Sequence, residues 1–459
     1  MSTDSFRVLV IGAGTGGLCL AQSLTRAGID VGVYERDRTR TDGLFGFRVG
    51  ISPDGSRALR ACLPSELFAT FRATTAITPP YFNMYTEQFS ELISIGGYAD
   101  ATGRDRAEAE YSVSRMTLRQ ILLTGLEAVV HFDKKFTHYQ THSDATVTAY
   151  FADGTPATGD ILVGADGSNS PVRRQYLPHA TLIDSGLYGI TAKLPLDDHS
   201  RTLLPPRVLR GVTMITAPRG DSTIIHVMEF RWDTNGELKQ NIGGNDATLL
   251  AAWPGLNFDN SRDYIMLGFG SHGRYLPADF MRLDGPSLHA LLCERTARWH
   301  PHLRELFHLV DASTCFPINI RTSVRIDPWP TTTVTLIGDA IHTMTPGLGV
   351  GANTALRDAQ ILSANLITAH QAGTPALDAI ADYESQMHGY AWDLVAKSLE
   401  RFDANSAVYG SGIGARLALA RQRIGMRMVN HLPPVKRKMQ AAMNADRDHG
   451  PNDVSTTEE

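Results

Sequence analysis

The chain has few cysteines and no hydrophobic segment long enough to cross a membrane. Its four cysteines lie far apart and form no C-x-x-C pair, which disfavours a structural zinc site and a disulfide framework. A run of about 18 apolar residues, as a transmembrane helix needs, does not occur. No basic leader with a cleavage site precedes the first apolar segment, so no export signal is predicted. Together these absences favour a reducing, cytoplasmic location.

An excess of positive charge is also lacking. Lysine and arginine number 43 against 48 acidic residues, which gives a net charge of −5 and disfavours nucleic acid as a partner. Of the 459 residues, 42% are hydrophobic and 20% are charged, which is typical of a globular protein with two or three domains. The sequence shows no internal repeat and no metal-ligand spacing.

A glycine-rich turn follows the first apolar segment. Residues 6–11 are predicted to form a buried strand and residues 18–27 a helix. Between them, Gly12, Gly14 and Gly17 satisfy G-x-G-x-x-G, a pattern that brings a pyrophosphate close to the backbone at a helix start. A second strand at 29–34 ends at Glu35, whose carboxylate is suited to an adenosine ribose and disfavours a 2′-phosphate. Arg36 beside it would lie along the adenine or be a solvated surface charge.

Two further segments repeat the pattern of strand, acidic residue, glycine loop and helix. Residues 160–173 read DILVGADGSNSPVR and contain Asp166, and residues 335–359 contain Asp339 after a strand at 334–337. An acid at the carboxyl end of such a strand lies where ligands of open α/β sheets bind. Glycines after Pro346 expose the backbone before a helix that is predicted to open near Asn353.

These three motifs, in this order, resemble those of the class A, single-component FAD-dependent monooxygenases typified by p-hydroxybenzoate hydroxylase. The resemblance covers most of residues 7–358. It implies a Rossmann-like FAD-binding domain with an inserted mixed β-sheet substrate domain and a helical C-terminus. It also implies FAD as cofactor, with NAD(P)H as co-substrate.

The resemblance carries over to individual cofactor-binding residues. The first motif implies the pyrophosphate turn, the DG motif a shaping role at the FAD site, and the GD motif bonds to the ribityl chain. The proline of the third loop would lie where substrate and flavin meet, and the amides of the following helix would face the flavin N1 and O2 edge. The residues so implied are Gly12, Gly14, Thr15, Gly16, Gly17, Glu35, Arg36, Arg48, Arg115, Asp166, Asp339, Pro346, Gly349, Gly351, Ala352 and Asn353.

The domains are expected to be discontinuous in sequence. Residues 1–76, 113–182 and 317–370 are assigned to the FAD-binding domain, and residues 77–112 and 183–316 to a β-rich substrate domain. Residues 371–443 form a C-terminal helical region, and residues 444–459 a polar tail expected to be disordered. Within 410–438, seven basic residues and no acidic one occur. A basic amphipathic helix of this kind can lie on an anionic membrane, but docking on its own domain with a solvated face is favoured.

A substrate pocket is predicted on weaker grounds. In the strand predicted at 223–232, His226, Met228 and Phe230 share one face, and one face of this sheet should look toward the flavin. Phe47, Met84, Met266 and Pro346 complete the predicted pocket. Core packing is the simpler explanation for the apolar members. No catalytic base is assigned, because an oxygenating flavin needs one only when a phenol must be ionised.

The function that the resemblance implies is a monooxygenase, a flavoprotein hydroxylase or epoxidase that acts through a flavin C4a-hydroperoxide. Its substrate is expected to be hydrophobic, aromatic or polycyclic, of the secondary-metabolite class. Three alternatives stay open: a flavin-dependent halogenase, for which the W-x-W-x-I-P segment is missing, a dehydrogenase or reductase of the same fold, and a flavin-fold protein that only binds a metabolite.

Overall fold

The computed structural model describes residues 6–40, 47–96, 109–230, 263–401, 410, 412–445 and 447–448. The helices in these ranges are α1 (Thr15–Arg26), α2 (Pro53–Cys62), α3 (Ser65–Ala73), α4 (Arg115–Leu123), α5 (Pro171–Tyr176), α6 (Asp198–Thr202), α7 (Pro206–Leu209), α8 (Gly285–Arg295), α9 (Pro301–His308), α10 (Asp339–His342), α11 (Gly351–Ala372), α12 (Ala376–Glu400), α13 (Ile413–Asn430) and α14 (Pro433–Ala445). The strands are β1 (Arg7–Ile11), β2 (Asp30–Tyr34), β3 (Arg48–Ile51), β4 (Tyr81–Thr86), β5 (Glu91–Gly96), β6 (Tyr111–Ser114), β7 (Val130–His131), β8 (Phe136–Thr141), β9 (Val147–Phe151), β10 (Pro156–Gly159), β11 (Ile161–Gly164), β12 (Leu182–Pro195), β13 (Gly211–Thr216), β14 (Ser222–Met228), β15 (Tyr264–His272), β16 (Phe316–Ser323) and β17 (Val334–Leu336).

A five-stranded parallel sheet in the order β17-β11-β1-β2-β7 forms the centre of the first half of the molecule. Its strands are short apolar runs buried on both faces, as parallel strands covered by helices are. The chain moves from β1 to β2 on one side and later returns to β11 on the other. This reversal at β1 creates a crevice at the carboxyl ends of the strands, where ligands of such sheets bind.

Helices α1, α11 and α12 cover the parallel sheet, and their apolar faces join its strands in the largest hydrophobic core. Their ends follow local chemistry. Ser170 Oγ accepts the Arg173 backbone N–H at 2.8 Å and starts α5, with Pro171 in the first turn. Gly373 ends α11 in the left-handed region, at φ 67°.

A seven-stranded mixed sheet in the order β16-β12-β15-β14-β13-β4-β5 builds the second half. Neighbouring strands are antiparallel except β13 and β4. One face packs on α8 and α9 in a second hydrophobic core. The sequence-predicted turn at 218–221 joins β13 to β14, and Arg219 and Gly220 take positive φ there. The predicted strand at 223–232 is observed as Ser222–Met228, and its residues 231–232 lie outside the described ranges.

Two smaller sheets complete the described strands. Strands β10, β9 and β8 form an antiparallel meander beside the parallel sheet, and β3 pairs with β6. The mixed α/β architecture expected from the sequence, with a Rossmann-like sheet, a second mixed sheet and a helical C-terminus, is confirmed.

The C-terminal helices α13 and α14 pack beside the edge strand β5. Arg423 donates to Glu87 and to the Thr216 carbonyl, and Asn430 donates to Glu91 at 3.0 Å. Docking of this basic segment on the chain's own sheet is therefore confirmed. In the described part of the chain, no helix is both apolar and long enough to span a bilayer.

Of the segment 444–459, expected to be a disordered tail, residues 446 and 449–459 lie outside the described ranges. Asn444 and Ala445 end α14. The Arg447 side chain is buried and pairs with Glu110 at 2.7 Å.

Candidate active site

The loops that follow β1, β2, β11 and β17 meet at one edge of the parallel sheet. Backbone bonds continue the strand pairing into them: the Gly12 N–H donates to Tyr34 O at 2.9 Å, and the Ala165 N–H donates to Ile11 O at 2.8 Å. The Ile337 N–H donates to Gly164 O at 3.0 Å. The three sequence motifs, separated from one another by more than a hundred residues, therefore meet at the predicted edge of the sheet.

The glycines of the first turn have different surroundings. Gly12 has φ 107°, and a Cβ there would lie 2.5 Å from Ala165 O. A Cβ on Gly17 would lie 2.3 Å from Gly12 O. A Cβ on Gly14 would have only one neighbour within 4 Å, Ala165 O at 3.8 Å. Gly12 and Gly17 are thus required by the fold, whereas Gly14 leaves open space at the start of α1.

Glu35 is buried and fixes the first turn. Its Oε2 accepts the Ala13 N–H at 2.6 Å and its Oε1 accepts the Asp37 N–H at 3.0 Å. Arg119, one helical turn after Arg115, bonds Asp37 at 2.9 Å and lies 3.9 Å from Glu35 Oε2. The carboxylate that was expected to meet a ribose therefore also orders the glycine turn.

The DG loop is tied to the GD loop by a buried arginine. Arg173 donates to Ala340 O at 2.8 Å and to Ser168 O at 2.9 Å. Asp166 Oδ2 accepts the Val172 N–H at 3.3 Å. Its buried Oδ1 has no hydrogen-bond partner in the described part of the chain, and burial raises the pKa of this carboxyl group. An acceptor oriented in this way fits a donor from a bound molecule.

Asp339 and Arg115 connect the two halves of the site electrostatically. Asp339 is exposed, but desolvation by the protein packed around it raises the pKa of its carboxyl group, and the nearby charges of His342 and Arg115 oppose that rise. Desolvation likewise lowers the pKa of the Arg115 guanidinium, and the Asp339 charge acts in the opposite direction. The two side chains therefore lie near each other with opposite charge.

A buried network lies behind the Asp339 turn. Asp358 Oδ2 accepts from His342 Nε2 at 2.6 Å and from the Gly338 N–H at 2.7 Å. The side chains of His342 and Asp358 are fully buried. Asp358 Oδ1 accepts from Tyr390 OH at 2.5 Å. Burial alone would lower the pKa of His342, but the Asp358 carboxylate raises it above its ordinary value. Gly338, at φ 61°, is thereby held in a left-handed conformation immediately before Asp339.

The start of α11 is held from two directions. Asn353 Nδ2 donates to Gly50 O at 2.9 Å, and its Oδ1 accepts the Ser52 N–H at 2.8 Å, which joins α11 to β3. On the other side, Arg447 donates to Leu348 O at 3.0 Å in the loop that contains Pro346. The helix opens at Gly351, two residues earlier than predicted.

A cleft of about 750 Å³ opens at this edge of the parallel sheet. Arginine and lysine side chains surround its acidic residues, which suits the phosphates of a dinucleotide. The sequence-predicted residues in its wall are Gly12, Gly14, Thr15, Glu35, Arg36, Arg115 and Asp166. The remaining predicted cofactor residues are not in this wall, and they are Gly16, Gly17, Arg48, Asp339, Pro346, Gly349, Gly351, Ala352 and Asn353.

The seven-stranded sheet presents a half-buried apolar face opposite its core. Met84 on β4, Met214 on β13 and Ile224 on β14 lie side by side in register, and Gly268 on β15 continues this cross-strand row. The three side chains are partly exposed. A Cβ on Gly268 would lie 2.8 Å from Ile224 Cγ2, so the glycine keeps this part of the face flat.

His226 lies on the same face but has no solvent contact. Its Nε2 is 3.0 Å from Ser112 Oγ, and Arg48 Nε donates to the same oxygen at 3.0 Å. Burial, with a contribution from Arg48, lowers the pKa of His226 well below its ordinary value, so the ring is neutral. Of the other predicted pocket residues, Phe47, Met228 and Phe230 are buried together, and Met266 packs partly exposed against them.

Several residues of the site have signals that were not used in the sequence-based prediction. Arg119 follows Arg115 by four residues and so shares its helix face. His342 precedes the third loop and Asp358 follows it, and Arg173 lies in the first turn of α5, directly after the DG motif. Arg447 and Glu110 had no sequence signal, since their pairing depends on how the C-terminus returns to the site.

Comparison with known proteins gives consistent results. A family model described as an FAD binding domain matches residues 5–48 and 294–398. A dual O-methyltransferase/FAD-dependent monooxygenase of Cercospora beticola is 34% identical over 410 residues, which are 84% of this chain. This chain spans 44% of that relative's length.

Solved structures resemble the chain over nearly its whole length. A Photorhabdus luminescens chain assigned as an FAD-containing monooxygenase is 31% identical, with a TM-score of 0.73, and the match covers 87% of this chain and 98% of that one. Klebsiella pneumoniae HpxO, solved with FAD and uric acid, is 21% identical with a TM-score of 0.72. That match covers 98% of this chain and 99% of HpxO, and it shows a shared fold.

Proposed function

Because the chain belongs to the class A FAD-dependent monooxygenases, we propose that it uses NAD(P)H and O2 to insert one oxygen atom into a hydrophobic organic substrate. The observation that carries this proposal is the meeting of the three loops, with Glu35, Asp166 and Asp339, at one edge of the parallel sheet. An NAD-dependent dehydrogenase would need no second and third acidic loop at this edge, so the three loops favour FAD as the cofactor.

FAD fits the residues at this edge. The open space at Gly14 admits a pyrophosphate beside the α1 N-terminus, where backbone N–H groups and the helix dipole favour negative charge. Arg36 and Arg115 supply positive charge in the cleft wall, and the unsatisfied Oδ1 of Asp166 supplies an acceptor. Asp339 would hold the ribityl hydroxyls.

The remaining cofactor-binding residues are proposed to surround the flavin ring. The amides of Gly351, Ala352 and Asn353 at the start of α11 would stabilise the negative charge that a reduced flavin carries at N1 and O2. Arg48, joined through Ser112 to His226, lies on β3, which Asn353 ties to the same helix start. Pro346, Gly349 and the buried Phe47 would bound the space between ring and substrate.

Bound FAD supplies hydride acceptance and oxygen activation, and the protein contributes position and exclusion of water. Asp339 and Arg115 orient the cofactor. Phe47, Met228 and Phe230 form a buried apolar cluster next to Arg48. This cluster would keep water away from the flavin. His226 is neutral and hydrogen-bonded, so it positions Ser112 and Arg48 and is not assigned as a base. NAD(P)H is proposed to bind transiently, because FAD would fill the one Rossmann-like unit found among the described residues.

The substrate is proposed to be an aromatic or polycyclic secondary metabolite. The row of Met84, Met214 and Ile224, continued by Gly268, offers a flat apolar surface of the kind that complements a planar, hydrophobic molecule. Methionine side chains adapt to irregular shapes, which suits recognition by contact area. The proposed activity is hydroxylation or epoxidation in the cytoplasm.

The domain division expected from the sequence is retained as part of the proposal. The first hydrophobic core gathers residues from 8–180 and 326–395, and the second gathers residues from 85 and 190–315. This alternation along the chain supports an FAD-binding domain interrupted by a substrate domain.

Oxygen labelling tests the proposed activity. The FAD-loaded protein would be incubated with NADPH or NADH, a panel of aromatic and polycyclic substrates, and 18O2, and products would be measured by mass spectrometry. We expect one 18O atom in the product. A reduced or oxidised product without 18O would indicate a dehydrogenase, and a purified protein with no affinity for FAD would indicate a role in metabolite binding alone.

A further inference from the structure

Helix α13 has one docked face and one exposed apolar face. Leu419 and the bonds of Arg423, Arg427 and Asn430 hold it against the seven-stranded sheet. Away from this contact, four large apolar side chains are exposed: Ile413 (78%), Leu417 (58%), Ile424 (57%) and Met428 (63%).

These four residues form one stripe along the helix. Their spacings of four, seven and four residues repeat close to whole helical turns, so the side chains line up over the length of α13. The next helix extends the apolar surface, with Val435 and Met439 exposed four residues apart. Of the fourteen exposed large hydrophobic residues in the described ranges, seven lie between Ile413 and Met439, so this exposure is a local concentration.

Positive charge borders the stripe. Arg421 lies on one side of it and Arg416 on the other, and both are exposed, although Arg416 also lines the cavity between α13 and the rest of the chain. Neither side chain makes an ion pair within the described part of the chain, and the same is true of Arg437 and Lys438 on α14. Residues 410–445 contain no aspartate or glutamate at all. The exposed surface of α13 and α14 is therefore apolar along its middle and cationic at its borders.

We propose that α13 and α14 dock on the surface of an anionic lipid bilayer, with the apolar stripe at the level of the acyl chains and the arginines among the headgroups. An interfacial helix has this distribution of side chains, and binding of this kind combines buried apolar area with attraction to anionic lipid. This inference is independent of the oxygenation chemistry.

A second copy of the chain is a poorer occupant of this face. In a two-fold symmetric pair the same patch meets itself. The bordering arginines and lysines would then approach those of the partner with no acidic residue of 410–445 to neutralise them. Anionic headgroups complement this charge, whereas another copy repels it.

Vesicle sedimentation tests the proposal on the full, FAD-loaded chain. Vesicles of phosphatidylcholine with roughly 30 mol% phosphatidylglycerol, whose anionic headgroups give the surface a negative potential, would be compared with vesicles of phosphatidylcholine alone. We expect binding to the anionic vesicles at low salt, at least about tenfold weaker binding at 0.5 M NaCl, and little binding to the neutral vesicles.

Two variants separate the contributions of the stripe and of its charge. Ile413→Gln/Leu417→Gln/Ile424→Gln removes the apolar contact, and Arg416→Gln/Arg421→Gln removes the bordering charge. Arg282→Gln/Arg304→Gln removes two exposed arginines elsewhere and serves as the matched control. We expect at least about a tenfold loss of vesicle binding in the first two variants and none in the control, with FAD content and melting temperature unchanged.

Three results would overturn the proposal. The first is no binding of the unmodified chain to anionic vesicles at low salt. The second is vesicle binding that survives the triple glutamine variant. The third is a dimer, measured by light scattering after gel filtration, that dissociates in the triple variant while no vesicle binding occurs, since the stripe would then be a self-association surface.

Discussion

Gly12 and Gly14 lie in the same turn but differ in what a side chain would meet. At Gly12 a valine would clash with the Ala165 carbonyl and would have to adopt φ 107°, which together cost roughly 3 kcal/mol of folding free energy. At Gly14 the apoprotein has room, so Gly14→Val should fold normally while its side chain fills the space proposed for the pyrophosphate. We predict loss of FAD binding with an unchanged apoprotein melting temperature for Gly14→Val, and a lowered melting temperature for Gly12→Val.

Calorimetry and FAD titration of the two variants would check this prediction. A Gly14→Val protein that retains a full complement of FAD would mean that the pyrophosphate does not lie at this turn.

At the residue scale, the sequence indicated where the acidic residues of the site lie, but not which groups they hydrogen-bond. The strand-ending acids Glu35, Asp166 and Asp339 were predictable because an apolar run followed by an acid and glycine specifies the carboxyl edge of a sheet. That Glu35 would bond the Ala13 amide was not predictable, since it depends on how closely β1 and β2 bring the two loops together.

The short helix at Asp339–His342 depends on a charge pair supplied by a neighbouring helix. His342 has a pKa raised above its ordinary value of 6.5 by Asp358. A histidine with a raised folded-state pKa contributes stability that is fully present below the unfolded pKa and is lost as pH rises through the folded one. We therefore predict that Asp358→Asn destabilises the protein by about 3 kcal/mol at pH 6, and by less as pH rises above the raised pKa.

Urea unfolding between pH 6 and pH 9 measures this difference. Asp393→Asn changes an exposed aspartate on α12 and should have little effect at either end of the range. A stability difference that is independent of pH would show that the carboxylate of Asp358 acts only as an acceptor for Gly338 and Tyr390.

A second element-scale prediction concerns the pair of Arg447 and Glu110. Glu110 is deeply buried, and burial raises the pKa of its carboxyl group against the effect of Arg447. Arg447→Met should cost about 3 kcal/mol at pH 8, because it leaves a buried carboxylate without its partner, and less at pH 5, where Glu110 can take up a proton. The double variant Arg447→Met/Glu110→Gln should recover most of the loss.

Unfolding free energies of the unmodified chain, the two single variants Arg447→Met and Glu110→Gln, and the double variant would give the coupling energy between the two side chains. Equal losses in the single and double variants would instead assign the effect to the bond between Arg447 and Leu348 O.

At the element scale, strands were predicted closely where a short apolar run is bounded by polar residues or glycine. The strands at Arg7–Ile11 and Asp30–Tyr34 match their predicted ranges, 6–11 and 29–34, within a residue. The sequence also indicated helices throughout the C-terminal region, but it could not show which face of α13 would be left exposed. That depends on the position of Glu87 and Glu91 at the edge of a sheet formed far earlier in the chain.

At the scale of the whole molecule, the proposed FAD site is built from parts that meet only after folding. The turn at Gly12–Gly17, the helix start at Arg115 and the loop at Asp339 come from three distant stretches of the chain. Motif order was enough to predict their assembly, because each motif specifies the same sheet edge. The apolar row of Met84, Met214 and Ile224 was only partly predicted, since registers between strands are set by the whole sheet.

An FAD site that extends across the sheet edge from Glu35 to Asp339 is the central claim, and equilibrium FAD titration of Asp339→Ala tests it most directly. Hydrogen bonds to a charged group contribute about 1.5–3 kcal/mol each, so the variant should bind FAD roughly tenfold to a hundredfold more weakly than the unmodified chain, with an unchanged apoprotein melting temperature. An Asp339→Ala protein that binds FAD as tightly as the unmodified chain would contradict the claim.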